Sequence, residues 1–216
     1  MRHVFLFPLL FLVACQTAQQ AADDTADAAE RGAEAVVDAA GDAWDGVQDV
    51  FDADRRLAAA ALVRPTTAPG ARAQGLVRFE ARGDDLVVQV SLRGLDPGAH
   101  GLHIHKNPSC EPADTDGDGR LEPAAASGGH WDPLGTNDHG APTENMEDKH
   151  LGDLGNVTAS ADGIVETTLT VRGFDPDEYP VAGHAVVVHG GRDDLETDPA
   201  GGAGTPQGCG VISGRP

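Results

Sequence analysis

The sequence predicts an all-β domain, a sandwich or barrel of eight short strands carrying long loops, behind a partly helical N-terminal segment. Three features carry this. Beyond Leu57, apolar residues recur with period two in short runs, the alternation of strands that bury one face. Gly, Pro and Asp punctuate those runs, as turns require. The interval from Asn107 to Leu154 has almost no strand signal, and a stretch that long in a compact domain is functional or pinned.

With 216 residues the chain exceeds an ordinary domain of roughly 100 to 150, and the excess lies at the front. Met1-Arg2-His3 and the apolar run Val4 to Val13 read as a secretory signal, because the run is too short to span a bilayer. It ends in Leu12-Val13-Ala14-Cys15, which resembles a bacterial lipobox, whose cysteine is lipidated. Residues 1–14 are therefore expected to be a lipoprotein signal peptide. The mature protein is expected to be exported and membrane-anchored through Cys15, facing the periplasm or cell exterior. Gln16 after the cysteine favours the outer membrane in a Gram-negative cell.

Residues 15–56 form an Ala- and Asp-rich tether. Ala33, Val37, Ala40, Trp44, Val47 and Phe51 recur at steps of three and four, an apolar stripe on a helix. Alanine at several of those positions buries little surface, which favours a solvated spacer. The sharper reading is a helix that packs on a partner or self-associates through Trp44 and Phe51, making a homodimer.

From residue 57 to 216 the predicted strands are Ala58 to Arg64, Gln74 to Arg82, Leu86 to Leu92, Gly101 to Lys106, Asn156 to Ala161, Ile164 to Val171, His184 to His189 and Gly210 to Ser213. The chain's net charge is −20; 11 acids and 4 bases lie up to Arg56, leaving 24 against 11 and a net of −13 in the β domain. That balance argues against nucleic acid as a partner. With Cys15 given to the lipid, Cys110 and Cys209 remain, an even pair in a compartment that permits disulfides. A bridge between them is the simplest outcome, and closing so long a loop is worth at most about 4 to 5 kcal/mol.

Six of the nine histidines fall where they can work together. His103 and His105 are two apart on a predicted strand and so share a face, while His100 has the opposite parity and reads as structural. His189 ends the buried run Ala185 to Val188, and His184 at its start is read as an ordinary packed or surface residue. The long loop adds His130, His139, His150 and Asp153. Three histidines and an aspartate on one irregular segment match the ligand types of a tetrahedral zinc site, and a metal would order so much loop.

These residues lie in motifs that resemble, in order, the copper,zinc superoxide dismutase family, in its bacterial lipoprotein form. His100-Gly-Leu-His103-Ile-His105 resembles the copper-binding strand, Gly-Gly-His130-Trp-Asp-Pro the bridging-histidine turn, and His150-Leu-Gly-Asp153-Leu-Gly-Asn-Val the end of the zinc loop. Val-Val-Val-His189, Asp193-Asp194-Leu195 and Cys209-Gly-Val-Ile complete the set. The resemblance spans Leu57 to Pro216 and implies an eight-strand Greek-key barrel. It implies copper on His103, His105, His130 and His189, and zinc on His130, His139, His150 and Asp153. His130 would bridge the metals and pass a proton to the product. Asp193 would link a copper histidine to a zinc histidine, and Cys110 and Cys209 would form the family disulfide. The implied activity is dismutation of superoxide.

Two departures stand out. Where the family carries an arginine that docks the anion, three residues before the second cysteine, this chain has Pro206, which offers neither charge nor a donor. Lys106 and Arg192 are the nearby cations. Reduced anion capture is therefore expected, and the alternative is a copper- and zinc-binding lipoprotein of the same fold that stores or delivers copper with little catalysis. The second departure, Asp114-Thr-Asp116-Gly-Asp118-Gly-Arg-Leu-Glu122, resembles half an EF-hand loop but places Ala125 where the bidentate acid belongs. It is read as a solvated acidic insertion.

Overall fold

The computed structural model describes residues 57–175 and 177–214; the signal-peptide and tether expectations lie outside them. The elements are β1 (Leu57–Pro65), β2 (Gln74–Arg82), β3 (Asp85–Arg93), β4 (Gly98–His105), β5 (Asp153–Ala159), β6 (Ile164–Arg172), β7 (Ala185–His189), β8 (Pro206–Val211) and a short β9 (Ser213–Gly214). The order β5-β4-β7-β8-β1-β2-β3-β6 forms a nearly closed antiparallel barrel, with β9 paired to β1. β3 and β4 are consecutive in sequence but not neighbours, and neither are β6 and β7, which gives the Greek-key connectivity.

The predicted strands recur with two informative shifts. β8 begins four residues earlier than its signal, because Pro206-Gln-Gly-Cys-Gly lacks apolar alternation and is held extended by pairing with β7 and β1. Proline is tolerated there as a strand's first residue. β5 also begins early, at Asp153. The pairs Gly101↔Asn156 and His103↔Asp153 leave an extra residue on β5, and Gly155 in the left-handed region (φ 81°) accommodates the bulge.

Parity explains where the site sits. Leu102 and Ile104 on β4, and Val186 and Val188 on β7, point into the barrel with Val77, Phe79 and Val88, all fully buried. His103 and His105 pair with Val187 and Ala185, and opposed residues share a face, so these four lie on the outer side. Ala124 of the long loop packs with Ala185, Val187 and Cys209 there. β7 is thus buried on both faces, and the long loop roofs the outer one.

That loop is anchored throughout. The Cys110–Cys209 disulfide (S–S 2.02 Å, Cα–Cα 5.7 Å) ties it to β8. The Trp131 backbone N–H donates to the Ile104 carbonyl at 2.8 Å and its carbonyl accepts from the Gly152 N–H at 2.9 Å, holding the middle and the end of the loop against β4. Short 3-10 turns at Ala125–Ser127 and Met146–Asp148 complete it.

Candidate metal centre

Two clusters share one residue. His103, His105, His130 and His189 bring ligand atoms within 4.8 Å of one another, as do His130, His139, His150 and Asp153, and every member is buried. All seven residues singled out from sequence as ligands are thus brought together.

Four of the rings are fixed from behind. His103 Nε2 donates to Asp193 Oδ2 at 2.7 Å, His105 Nδ1 to the Gly128 carbonyl at 2.7 Å, and His189 Nδ1 to the Gly204 carbonyl at 2.8 Å. His139 Nε2 donates to Asp193 Oδ1 at 2.8 Å. His130 lies between the clusters, with Nδ1 2.7 Å from Asp153 Oδ1. His139 Nδ1 is 3.0 Å from the same oxygen, and His150 Nδ1 is 3.4 Å from Asp153 Oδ2. Asp153 Oδ2 also accepts the Gly140 and His150 backbone N–H groups, each at 3.1 Å, which closes the loop around the carboxylate.

Among the described residues, six buried ring nitrogens are left with no hydrogen-bond partner: Nδ1 of His103, His139 and His150, and Nε2 of His105, His130 and His189. Buried polar atoms are nearly always satisfied, and here the unpaired ones converge. Four imidazole nitrogens suit copper, and three with a carboxylate suit zinc. The residues present fit both metals.

Electrostatics separates the clusters. Burial pushes His103 down to about 3 despite the Asp193 hydrogen bond, and His189 down to about 4. Burial and the neighbouring histidines hold His105 well below its ordinary value. These rings stay neutral, with their lone pairs free. On the other side burial also disfavours charge on His139, but Asp153 and Asp193 outweigh it and raise the ring to about 10. Burial would raise Asp153 and Asp193, yet their histidine hydrogen bonds keep both well below the usual carboxylate range.

His100 stands apart, its ring nitrogens 2.8 and 2.7 Å from the His189 and Asp96 carbonyls. His184 stacks on Trp131 (centroids 4.4 Å apart), with Nδ1 2.8 Å from the Lys106 carbonyl. Pro206 pairs opposite His189, while Lys106 and Arg192 are exposed. The carboxylates of Asp114, Asp116, Asp118 and Glu122 gather within 4.8 Å of one another at the surface, and Asp114 accepts the Gly117 and Gly119 N–H groups.

Sequence reasoning missed several contributors. Gly201 (φ 63°) lies against the Asp193–His139 hydrogen bond so closely that a Cβ would clash with Asp193 Oδ1 and come within 2.5 Å of His139 Nε2. Lys149 is 1% exposed, with Nζ donating to the His150 carbonyl at 3.1 Å. The glycine run Gly201, Gly202 and Gly204 was the available signal for the first; Lys149 had none, since lysine is ordinarily a surface residue.

A family model described as copper/zinc superoxide dismutase matches residues 73–212. A copper-zinc superoxide dismutase of Haemophilus parainfluenzae is 42% identical over 148 residues, covering 67% of this chain and 76% of that protein. Its counterpart from Brucella abortus is 38% identical over 148 residues, covering 68% of this chain and 82% of that protein. The solved structure of a Brucella abortus Cu/Zn superoxide dismutase superposes with a TM-score of 0.63 at 34% identity, covering 71% of this chain and 98% of that one.

Proposed function

The chain belongs to the copper/zinc superoxide dismutase family, and on that premise we propose that it dismutes superoxide to dioxygen and hydrogen peroxide outside the cytoplasm. The observation that carries this is the convergence of six unpaired buried ring nitrogens on two clusters that share His130. In this reading His103, His105, His130 and His189 hold copper, and His130, His139, His150 and Asp153 hold zinc. Bound there, copper would supply one-electron exchange in both directions, and zinc would supply no redox chemistry.

The protein's own residues supply tautomer, orientation and a proton. The Gly128 and Gly204 carbonyls can only accept, so each fixes the proton on Nδ1 of its histidine and leaves Nε2 bare. Asp193 does the reverse for His103 and His139, fixing Nε2–H and freeing Nδ1. His130 Nε2 faces the copper cluster while Nδ1 faces Asp153. Nε2 is therefore the atom placed to hold a proton and give it to the forming peroxide, solvent supplying the second.

Cys15 and the lipobox-like sequence before it support export and anchoring, and the Cys110–Cys209 disulfide fits an oxidising compartment. Pro206 opposite His189 supports weakened anion guidance, and it favours a second reading in which the protein chiefly stores or delivers copper. Pulse radiolysis of the protein loaded with copper and zinc separates the two. The enzyme reading expects superoxide decay well above an equal amount of free copper; activity no greater than free copper leaves only the carrier.

A further inference from the structure

Asp193 links a ring peculiar to each cluster, His103 of the first and His139 of the second. It is fully buried; Oδ2 accepts from His103, and Oδ1 accepts from His139 and from the Leu195 N–H at 2.7 Å. A rotation or shift of Asp193 therefore moves a ring in each cluster. Yet Asp193 lies on an irregular loop, outside any strand that would fix its backbone.

Flanking residues make backbone hydrogen bonds, Gly191 with Gly101 and Ala203, and Asp194 with Gly201, but the main chain of Asp193 itself is held by one side chain on the barrel. Asn156 Oδ1 accepts the Asp193 N–H at 2.9 Å, and Asn156 Nδ2 donates to the Asp193 carbonyl at 2.9 Å. Both main-chain groups of Asp193 are satisfied by a single carboxamide 37 positions away. A carboxamide carries an acceptor and a donor side by side and so can pair with both; a carboxylate at this position keeps the acceptor and loses the donor.

The β5 bulge explains how Asn156 reaches this place. The extra residue between the pairs Gly101↔Asn156 and His103↔Asp153 lets two residues three apart face the same side of the strand. Asp153 then closes the zinc cluster, and Asn156 meets the loop that carries Asp193. Gly201 lies directly against the carboxylate, with no room for a Cβ, while Asn156 holds the Asp193 backbone.

We infer that Asn156 is a positioning residue that sets the Asp193 carboxylate, and through it the His103 and His139 rings, in register with both metals. The inference rests on the two-centre reading above. It is tested on the full chain with Asn156→Ala and Asn156→Asp, the latter keeping volume and acceptor, against Thr158→Ala, an exposed change on the same strand.

Zinc affinity is measured by competition with a chromophoric chelator, and exchange of the histidine ring N–H protons by NMR on protein loaded with zinc alone, which has no unpaired electron. Both Asn156 variants should bind zinc about 10-fold more weakly. Their His103 and His139 ring protons should exchange about 10-fold faster. The His105 and His189 ring protons, bonded to the Gly128 and Gly204 carbonyls, should be unchanged, as should everything in Thr158→Ala. Equal acceleration of all four ring protons would mean general loosening and overturns the inference. So would variants that match the parent in affinity and exchange. A parent protein that takes up no zinc would overturn the two-centre reading and this inference with it.

Discussion

On the floor of the site, the His103, His105, His139 and His189 rings each have a named acceptor behind them. At the rim the position opposite His189 carries Pro206, and the nearby cations Lys106 and Arg192 are exposed and make no ion pair among the described residues. Burial accounts for the difference. A floor residue that loses a partner leaves a buried polar atom unsatisfied, at about 1 to 3 kcal/mol or more. Rim charges face water, where losing one costs folding almost nothing. Metal holding and substrate capture are therefore separable here, and variants can push the two apart.

The largest effect is expected from His130→Ala, because His130 alone among the described residues belongs to both ligand clusters. Loss of an outer-shell partner typically costs 10- to 100-fold in metal affinity or activity, so losing this residue should cost at least ~100-fold in dismutation and lower zinc retention as well. Metal analysis alongside pulse radiolysis checks both. Full retention of zinc with only copper lost would mean that the clusters are independent.

Acid and base should also act on the floor alone, in protein stripped of metal by a chelator. His103 and His189, lowered to about 3 and about 4, bind protons in the unfolded chain before they do in the folded one. Stability should fall as pH drops below about 6.5, by roughly 1.4 kcal/mol per pH unit for each histidine. His139, raised to about 10, works oppositely: its contribution is complete below about pH 6.5 and is lost as pH rises towards 10. Urea unfolding should therefore show a maximum near neutrality with a decline on each side. A profile flat from pH 5 to 8 would sink this account of the buried histidines.

The residues of the two clusters were legible partly from local chemistry and, as a full set, only through the family resemblance. His103 and His105 declare a shared face by spacing, and the histidine types declare a metal. The strands of the barrel were legible by period two. The supports were not. The Gly128 and Gly204 carbonyls are backbone atoms that any residue would supply, and Asn156 and Gly201 acquire meaning only once the loop carrying Asp193 is folded over β5. β8 was placed late because pairing, not propensity, makes it a strand, and β5 because a bulge carries Asp153 into it.

Pro206→Arg should sharpen the contrast by repairing the rim. Opposed residues on neighbouring strands share a face, so an arginine paired with His189 would lie on the side of the copper cluster. The rate should rise about tenfold, the lower end of electrostatic steering, and become more sensitive to salt. Zinc affinity should not change. A gain in rate without a gain in salt dependence would point to a repacked strand rather than a guide.

The smallest effects are expected at Lys106 and Arg192. Each is one exposed charge on a domain whose net is −13, and at physiological salt its field decays over about 8 Å. Lys106→Ala also keeps the carbonyl that meets His184, since only the side chain changes. Each substitution should lower the superoxide rate by about twofold at low salt and by less at physiological salt. The measurement carries more weight than its size, because a tenfold loss in Lys106→Ala would show that the rim already has its guide. Pro206 would then mark a relocation of the anion's landing place, and the contrast between a complete floor and an open rim would fail.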